Sequence, residues 1–230
     1  MMSARQLSLL ALATLFFAMP AGAAQNGRTN QPEAPAARTP GLATITFRKI
    51  FKSSSPEFVE IKVGRNGAST YDIRQLEDTP RPQPFPVSAA LTDRIFSLAA
   101  SLHDFDGIQL EVRRRVANLG EKTFIYEKDG ITHQVSFNYT TNSPANDLLD
   151  IFEGLSLEDQ YADRLRRTMR YDPLGLNDVL ARLDRDIHSR MIPEPKALVP
   201  LLNEIASNSS FLDIARQRAR LIVASIGPGE

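Results

Sequence analysis

The chain has 230 residues, with 27 Lys and Arg against 27 Asp and Glu, three His and no Cys. Zero net charge argues against non-specific nucleic-acid binding, whose affinity rests on a cationic surplus. The missing cysteines exclude disulfide scaffolds, cysteine-ligated zinc, iron–sulfur clusters and thiol nucleophiles. A 42% hydrophobic and 23% charged composition is that of an ordinary globular protein.

Residues 1–24 (MMSARQLSLLALATLFFAMPAGAA) have one charge, Arg5, then an apolar run from Leu7 to Met19 and small residues after Pro20. A positive start, a short apolar run and an A-x-A site read as a secretory signal peptide. The run is shorter than the roughly 20 residues a membrane span needs. The expected localisation is therefore secreted or periplasmic, with no membrane span after signal removal. Residues 25–41 are polar and rich in Pro and Ala and read as a flexible linker.

Thr44–Phe51 alternates and predicts a strand with Ile45, Phe47 and Phe51 on one face. Two further strands flank Asn66-Gly67. A two-residue loop there would put Val59, Ile61 and Val63 on the face opposite Tyr71 and Ile73. A three-residue loop, Arg65-Asn66-Gly67, pairs Ile61 with Tyr71 and Val59 with Ile73, with Gly67 supplying a positive φ. The run Pro80, Pro82, Pro84, Pro86 predicts an extended segment that is neither helix nor central strand. Ser88 caps a helix with Leu91, Ile95, Leu98 and Leu102 on one stripe, ending near His103.

Residues 108–119 fit either alternation or a helical stripe. Arg113–Arg115 before Gly120 favour a helix, near the negative end of its dipole. Asp129-Gly130 predicts a two-residue hairpin that pairs Tyr126 with His133 and Phe124 with Val135, leaving Thr132, Gln134, Ser136 and Asn138 on a polar face. From Ser143 the pattern is helical. Starts are expected at Ser143-Pro144, at Ser156 and at Asp172-Pro173, and Ser210 is expected to cap the last helix. The stretch 198–226 (LVPLLNEIASNSSFLDIARQRARLIVASI) resembles one HEAT-type helical hairpin in its Leu/Ala patterning, which implies two antiparallel helices.

The fold class is thus α+β, with antiparallel hairpins covered by a helix and a C-terminal helical region. The expected organisation is a sheet domain over 42–142 and helices over 143–230, packed on or beside the sheet.

The sequence has no GxSxG, GxxxxGK[ST], HExxH or GxGxxG motif. Proton transfer or metal binding would fall to the histidines. His103 with Asp104 and Asp106 could bind a cation or polarise water. It also suits a helix C-terminus followed by an aspartate turn. His133 with Tyr126 is a second pair. Asp184 and His188, four apart on a helix, are metal-compatible, although such spacing is also ordinary on a solvated face. Arg164, Arg166, Arg167 and Arg170 read as a solvated face. Asn138-Tyr139-Thr140 and Asn208-Ser209-Ser210 match glycosylation sequons.

No cofactor is implied. The reading is an exported, non-catalytic module that binds a protein or cell-envelope component, with Thr132, Gln134, Ser136 and Asn138 as candidate contacts. The alternative is a secreted hydrolase, possibly metal-assisted, using His103, Asp104 and Asp106, or His133 with Tyr126.

Overall fold

Six strands form one antiparallel sheet in the computed structural model of the chain, which describes residues 41–52 and 54–227. The segment expected to be a signal peptide and nearly all of the expected linker lie outside the described residues. The strands are β1 (Thr44–Ile50), β2 (Phe58–Gly64), β3 (Ala68–Arg74), β4 (Gln83–Pro86), β5 (Glu121–Lys128) and β6 (Ile131–Phe137). Their order is β4-β3-β2-β1-β5-β6. The helices are α1 (Ala89–Ser101), α2 (Ser143–Tyr171), α3 (Leu176–His188), α4 (Val199–Ser207) and α5 (Asp213–Ile226). The class is α+β.

Both hairpin registers follow from the burial pattern. Ile61 faces Tyr71 and Val59 faces Ile73, across the three-residue loop with Gly67 at φ +79°. Tyr126 faces His133 and Phe124 faces Val135, across Asp129-Gly130, both with positive φ. A one-residue slip in either hairpin would turn its apolar set toward water. The proline run becomes the short edge strand β4, where Pro84 and Pro86 cost no interior ladder bond.

α1 and α2 pack on the apolar face of the sheet. Ser88 Oγ accepts from the Leu91 amide, the expected cap. Ile95 and Leu102 of the expected stripe are buried, with Ala99 beside them; Leu91 and Leu98 lie at the margin. The centre of this core is aromatic. Phe47 stacks on Phe152 of α2 at 5.3 Å between ring centroids, and Phe124 stacks on Phe105 at 5.4 Å. Burying each such ring stabilises the fold by roughly 1.5–3 kcal/mol.

Three local expectations are corrected. Residues 108–119 form neither helix nor strand. Their backbone groups bond to the end of β6 instead: the Val112 amide donates to the Tyr139 carbonyl at 3.1 Å, and Asn138 receives the Leu119 amide at 2.6 Å and donates to the Ala117 carbonyl at 2.8 Å. These long-range partners outweigh the local helical stripe. The break expected at Ser156 is absent, because Ser143–Tyr171 is one 29-residue helix and Ser156 is buried within it. Its start at Ser143-Pro144 is the expected one, and Asn142 caps it by accepting from the Ala145 amide at 3.0 Å. Ser210 does not cap α5; its amide and hydroxyl both donate to Asn208 Oδ1.

Gly154 explains how α2 stays continuous while another segment crosses it. A Cβ at Gly154 would lie 2.6 Å from the Met191 carbonyl oxygen and 2.7 Å from Pro193 Cδ. The absent side chain is the space through which residues 191–193 pass.

Two apolar cores share α2. Ala145, Leu148, Phe152 and Leu155 close the sheet core; Tyr161 and Leu165 enter a second, all-helical core with Leu176, Leu180, Leu202, Ala215 and Ile222. α4 and α5 form the expected helical pair. Tyr161 donates to Asp186 of α3 at 2.5 Å, and burial together with that carboxylate pushes its phenol up to about 12. Among the described residues no helix is long and apolar enough to cross a membrane.

Candidate functional site

His103 and His133, with their neighbours, come closer together than their sequence positions suggest. His103, Asp104 and Phe105 form a tight turn at the end of α1 with φ of +56°, +50° and +67°. Three successive non-glycine residues in this region cost roughly 1–2 kcal/mol each. Phe105, 1% exposed and stacked on Phe124, offsets that cost by burial. The turn touches β5 and β6. Burial raises the Tyr126 phenol, and the charges of Asp104 and Asp129 add to the effect. The two expected pairs thus meet at one end of the sheet.

Tyr126 does not satisfy His133 by hydrogen bonding. The two rings stack at 6.4 Å, and His133 Nδ1 is buried with no hydrogen-bond partner among the described residues. Asp106 is exposed beyond the turn, with its amide bonded to the His103 carbonyl. Asp184 and His188 do share a face of α3, with Nδ1 3.2 Å from the carboxylate and 2.8 Å from the Asp184 carbonyl. That contact is an exposed intrahelical one. Among the described residues no group of three or more His, Asp or Glu is placed to hold a metal ion.

Thr132, Gln134 and Ser136 are exposed on the polar side of β6, and Ser136 Oγ shares a hydrogen bond of 2.8 Å with Thr123 Oγ1. Asn138 differs from them. Its side chain is occupied on both atoms by the 117–119 backbone, and its amide donates to Glu111 at 2.5 Å. It acts as a clamp on the irregular segment.

A different place gathers polar groups from distant segments. A cleft of about 740 Å³ opens between the β3–β4 edge and α2, within the roughly 300–1,000 Å³ of small-molecule sites. Tyr71 and Asp72 come from β3, Arg81 and Gln83 from the proline-rich edge, and Asp159, Asp163 and Arg166 from one face of α2. The spacing of 159, 163 and 166 is that of one helical stripe.

Tyr71 is held by its ring against Phe85, 5.6 Å away, and its phenol lies beside the Asp159 carboxylate. Burial first, then that carboxylate, raises the phenol far above its ordinary range, so it stays a donor at any physiological pH. Burial also raises Asp159, against the lowering effect of the Tyr71 bond. Asp72 pairs with Arg74 at 2.9 Å, and Asp163 lies 3.6 Å from Arg166. Among the described residues the Arg81 guanidinium has no carboxylate partner; its amide donates to Asp72 at 3.3 Å, and its carbonyl accepts the Gln83 side-chain amide at 3.3 Å.

Next to this cleft Glu158 is buried, 7% exposed, with desolvation raising its carboxyl to about 8. It accepts the Glu194 amide at 3.2 Å, and the Glu194 carboxylate in turn accepts the Ser88 amide at 3.1 and 3.2 Å. This relay ties α2, the 193–195 segment and the start of α1 together.

The sequence alone did not single out this cleft. Tyr71 reads as a core residue, Asp159 as a capping residue and Arg166 as a solvated one. The one available signal was Glu158-Asp159, two carboxylates set between the apolar positions Leu157 and Tyr161. No family model and no curated protein matches the chain.

Proposed function

We propose that the protein is an exported, non-catalytic binding module for a cell-envelope component, and that the β3–β4/α2 cleft is its binding site. The observation that supports this reading is the internal pairing of the cleft's groups. Tyr71 lies beside Asp159, Asp72 pairs with Arg74, and Asp163 lies 3.6 Å from Arg166. No histidine is among the described residues that line the cleft. A phenol pushed upward is neither nucleophile nor base at neutral pH. What remains is a preorganised polar surface, which suits recognition better than turnover.

Secretion or periplasmic residence is part of the same proposal and rests on the signal pattern of residues 1–24. The test is co-sedimentation of the mature chain with purified insoluble envelope from a bacterial host, read against a supernatant control. Saturable retention with no soluble fragments released is expected. Failure to sediment, or release of fragments by the wild-type chain, would overturn the reading.

A further inference from the structure

Resting on that reading, we propose that the cleft recognises an uncharged stretch of glycan. Three features of the cleft point to this chemistry.

The first is charge balance. Of the four carboxylates, Asp72 and Asp163 lie beside guanidinium groups, Asp159 lies beside the Tyr71 phenol and Asp78 accepts the Gln75 amide at 3.1 Å. A site for phosphate would present unopposed cations, and a site for a cation would present unopposed carboxylates. This one sets four carboxylates against three guanidinium groups, Arg74, Arg81 and Arg166, so neither sign is in large excess.

The second is the type of donor and acceptor. Asp, Arg and Gln side chains are planar and two-pronged, with Arg81 offering free N–H groups and Asp163 a carboxylate that is 58% exposed. Neighbouring sugar hydroxyls, each able to donate and accept, match such prongs in pairs. Ile73 is the only aliphatic side chain among the described residues of the lining.

The third is an apolar ledge in the right place. A smaller hollow of about 240 Å³ shares Tyr71, Asp159 and Arg166 with the cleft and continues over Pro84, Phe85 and Pro86. A pyranose ring has a hydroxyl rim and a C–H face. A polar wall meeting an aromatic and proline ledge serves both at once.

The experiment uses the mature chain and three neutral probes, cellotetraose, chitotetraose and maltotetraose, followed by amide shifts in two-dimensional NMR. Each is raised to roughly 10 mM, tenfold above a 1 mM Kd. At least one is expected to shift Tyr71, Gln83 and Asp163 saturably. Arg81→Ala and Asp163→Ala, both at exposed positions, should each weaken it about tenfold, as losing a direct hydrogen-bonding partner to the ligand does, with unchanged thermal unfolding.

If no probe shifts these residues, or if the variants bind as the wild type does, the glycan assignment is overturned. Stronger binding of inorganic phosphate at the same residues would overturn it too. Envelope retention that survives both variants and excess tetraose refutes the glycan assignment while leaving the binding-module reading in place. A wild-type chain that is not retained even without tetraose refutes both.

Discussion

Replacing Glu158 by Gln removes the most strongly perturbed carboxyl among the described residues and should stabilise the protein at neutral pH. The folded carboxyl keeps its proton to about 8, whereas a glutamate in the unfolded chain releases it near 4.5. Between those two values the folded state binds the extra proton, so stability falls as pH rises through that window and is unaffected by this group below it. At pH 7 the difference is about two and a half pH units, or about 3 kcal/mol.

The amide oxygen of the introduced side chain would still accept the Glu194 amide, so the relay to Ser88 is kept. For a chain of this size a gain of about 3 kcal/mol raises Tm by roughly 6–12 °C. Urea unfolding at pH 4.5 and at pH 8, for wild type and Glu158→Gln, is the assay. The two proteins should unfold together at pH 4.5 and separate at pH 8, with the variant more stable. A variant no more stable than wild type at pH 8, or equally displaced at both pH values, would refute the assignment of a buried, protonated Glu158.

Gly154→Ala should destabilise by about 1–3 kcal/mol in chemical denaturation, because overpacking against the Met191 carbonyl and Pro193 outweighs the helix-propensity gain of about 1 kcal/mol; an unchanged or raised midpoint would show that the crossing gives way. Lys122, 5% exposed, donates to the carbonyls of Leu119, Gly120 and Asn138 at 3.1, 3.0 and 2.8 Å. Lys122→Met should cost about 2–4 kcal/mol by stranding those acceptors, and hydrogen exchange should rise first in residues 111–120. His133→Phe should be neutral or stabilising by up to about 1 kcal/mol, since Nδ1 has no partner to lose among the described residues. A clear loss of stability would mean that His133 has a partner in solution.

Where a pattern tested two registers against a single buried face, the sequence was readable to the residue. Gly67 and Asp129-Gly130 are such cases, because a slip of one residue would expose Ile61 and Tyr71, or Phe124 and Val135. The apolar stripe of α1 and its Ser88 cap were readable for the same reason: the partners lie within one turn. Residues 108–119 were not, since their backbone is satisfied by Asn138 and Tyr139, about 20 residues further on, and no local period records that. Ser156 looked like a helix start because its hydroxyl and the following acids suit a cap, but Glu158 is held inside by Glu194, 36 positions away. The candidate cleft failed to show for a similar reason. Its two walls, 71–83 and 159–166, are separated by the whole of α1, β5 and β6.

The continuity of α2 has a mechanical consequence. At 29 residues the helix is about 44 Å long, and it supplies core side chains to the sheet at one end and to the helical cluster at the other. Such a girder leaves no hinge at which one half could loosen alone. Melting should therefore run as one event through both halves, and a cut in the middle of this rod should release the sheet and the helices together.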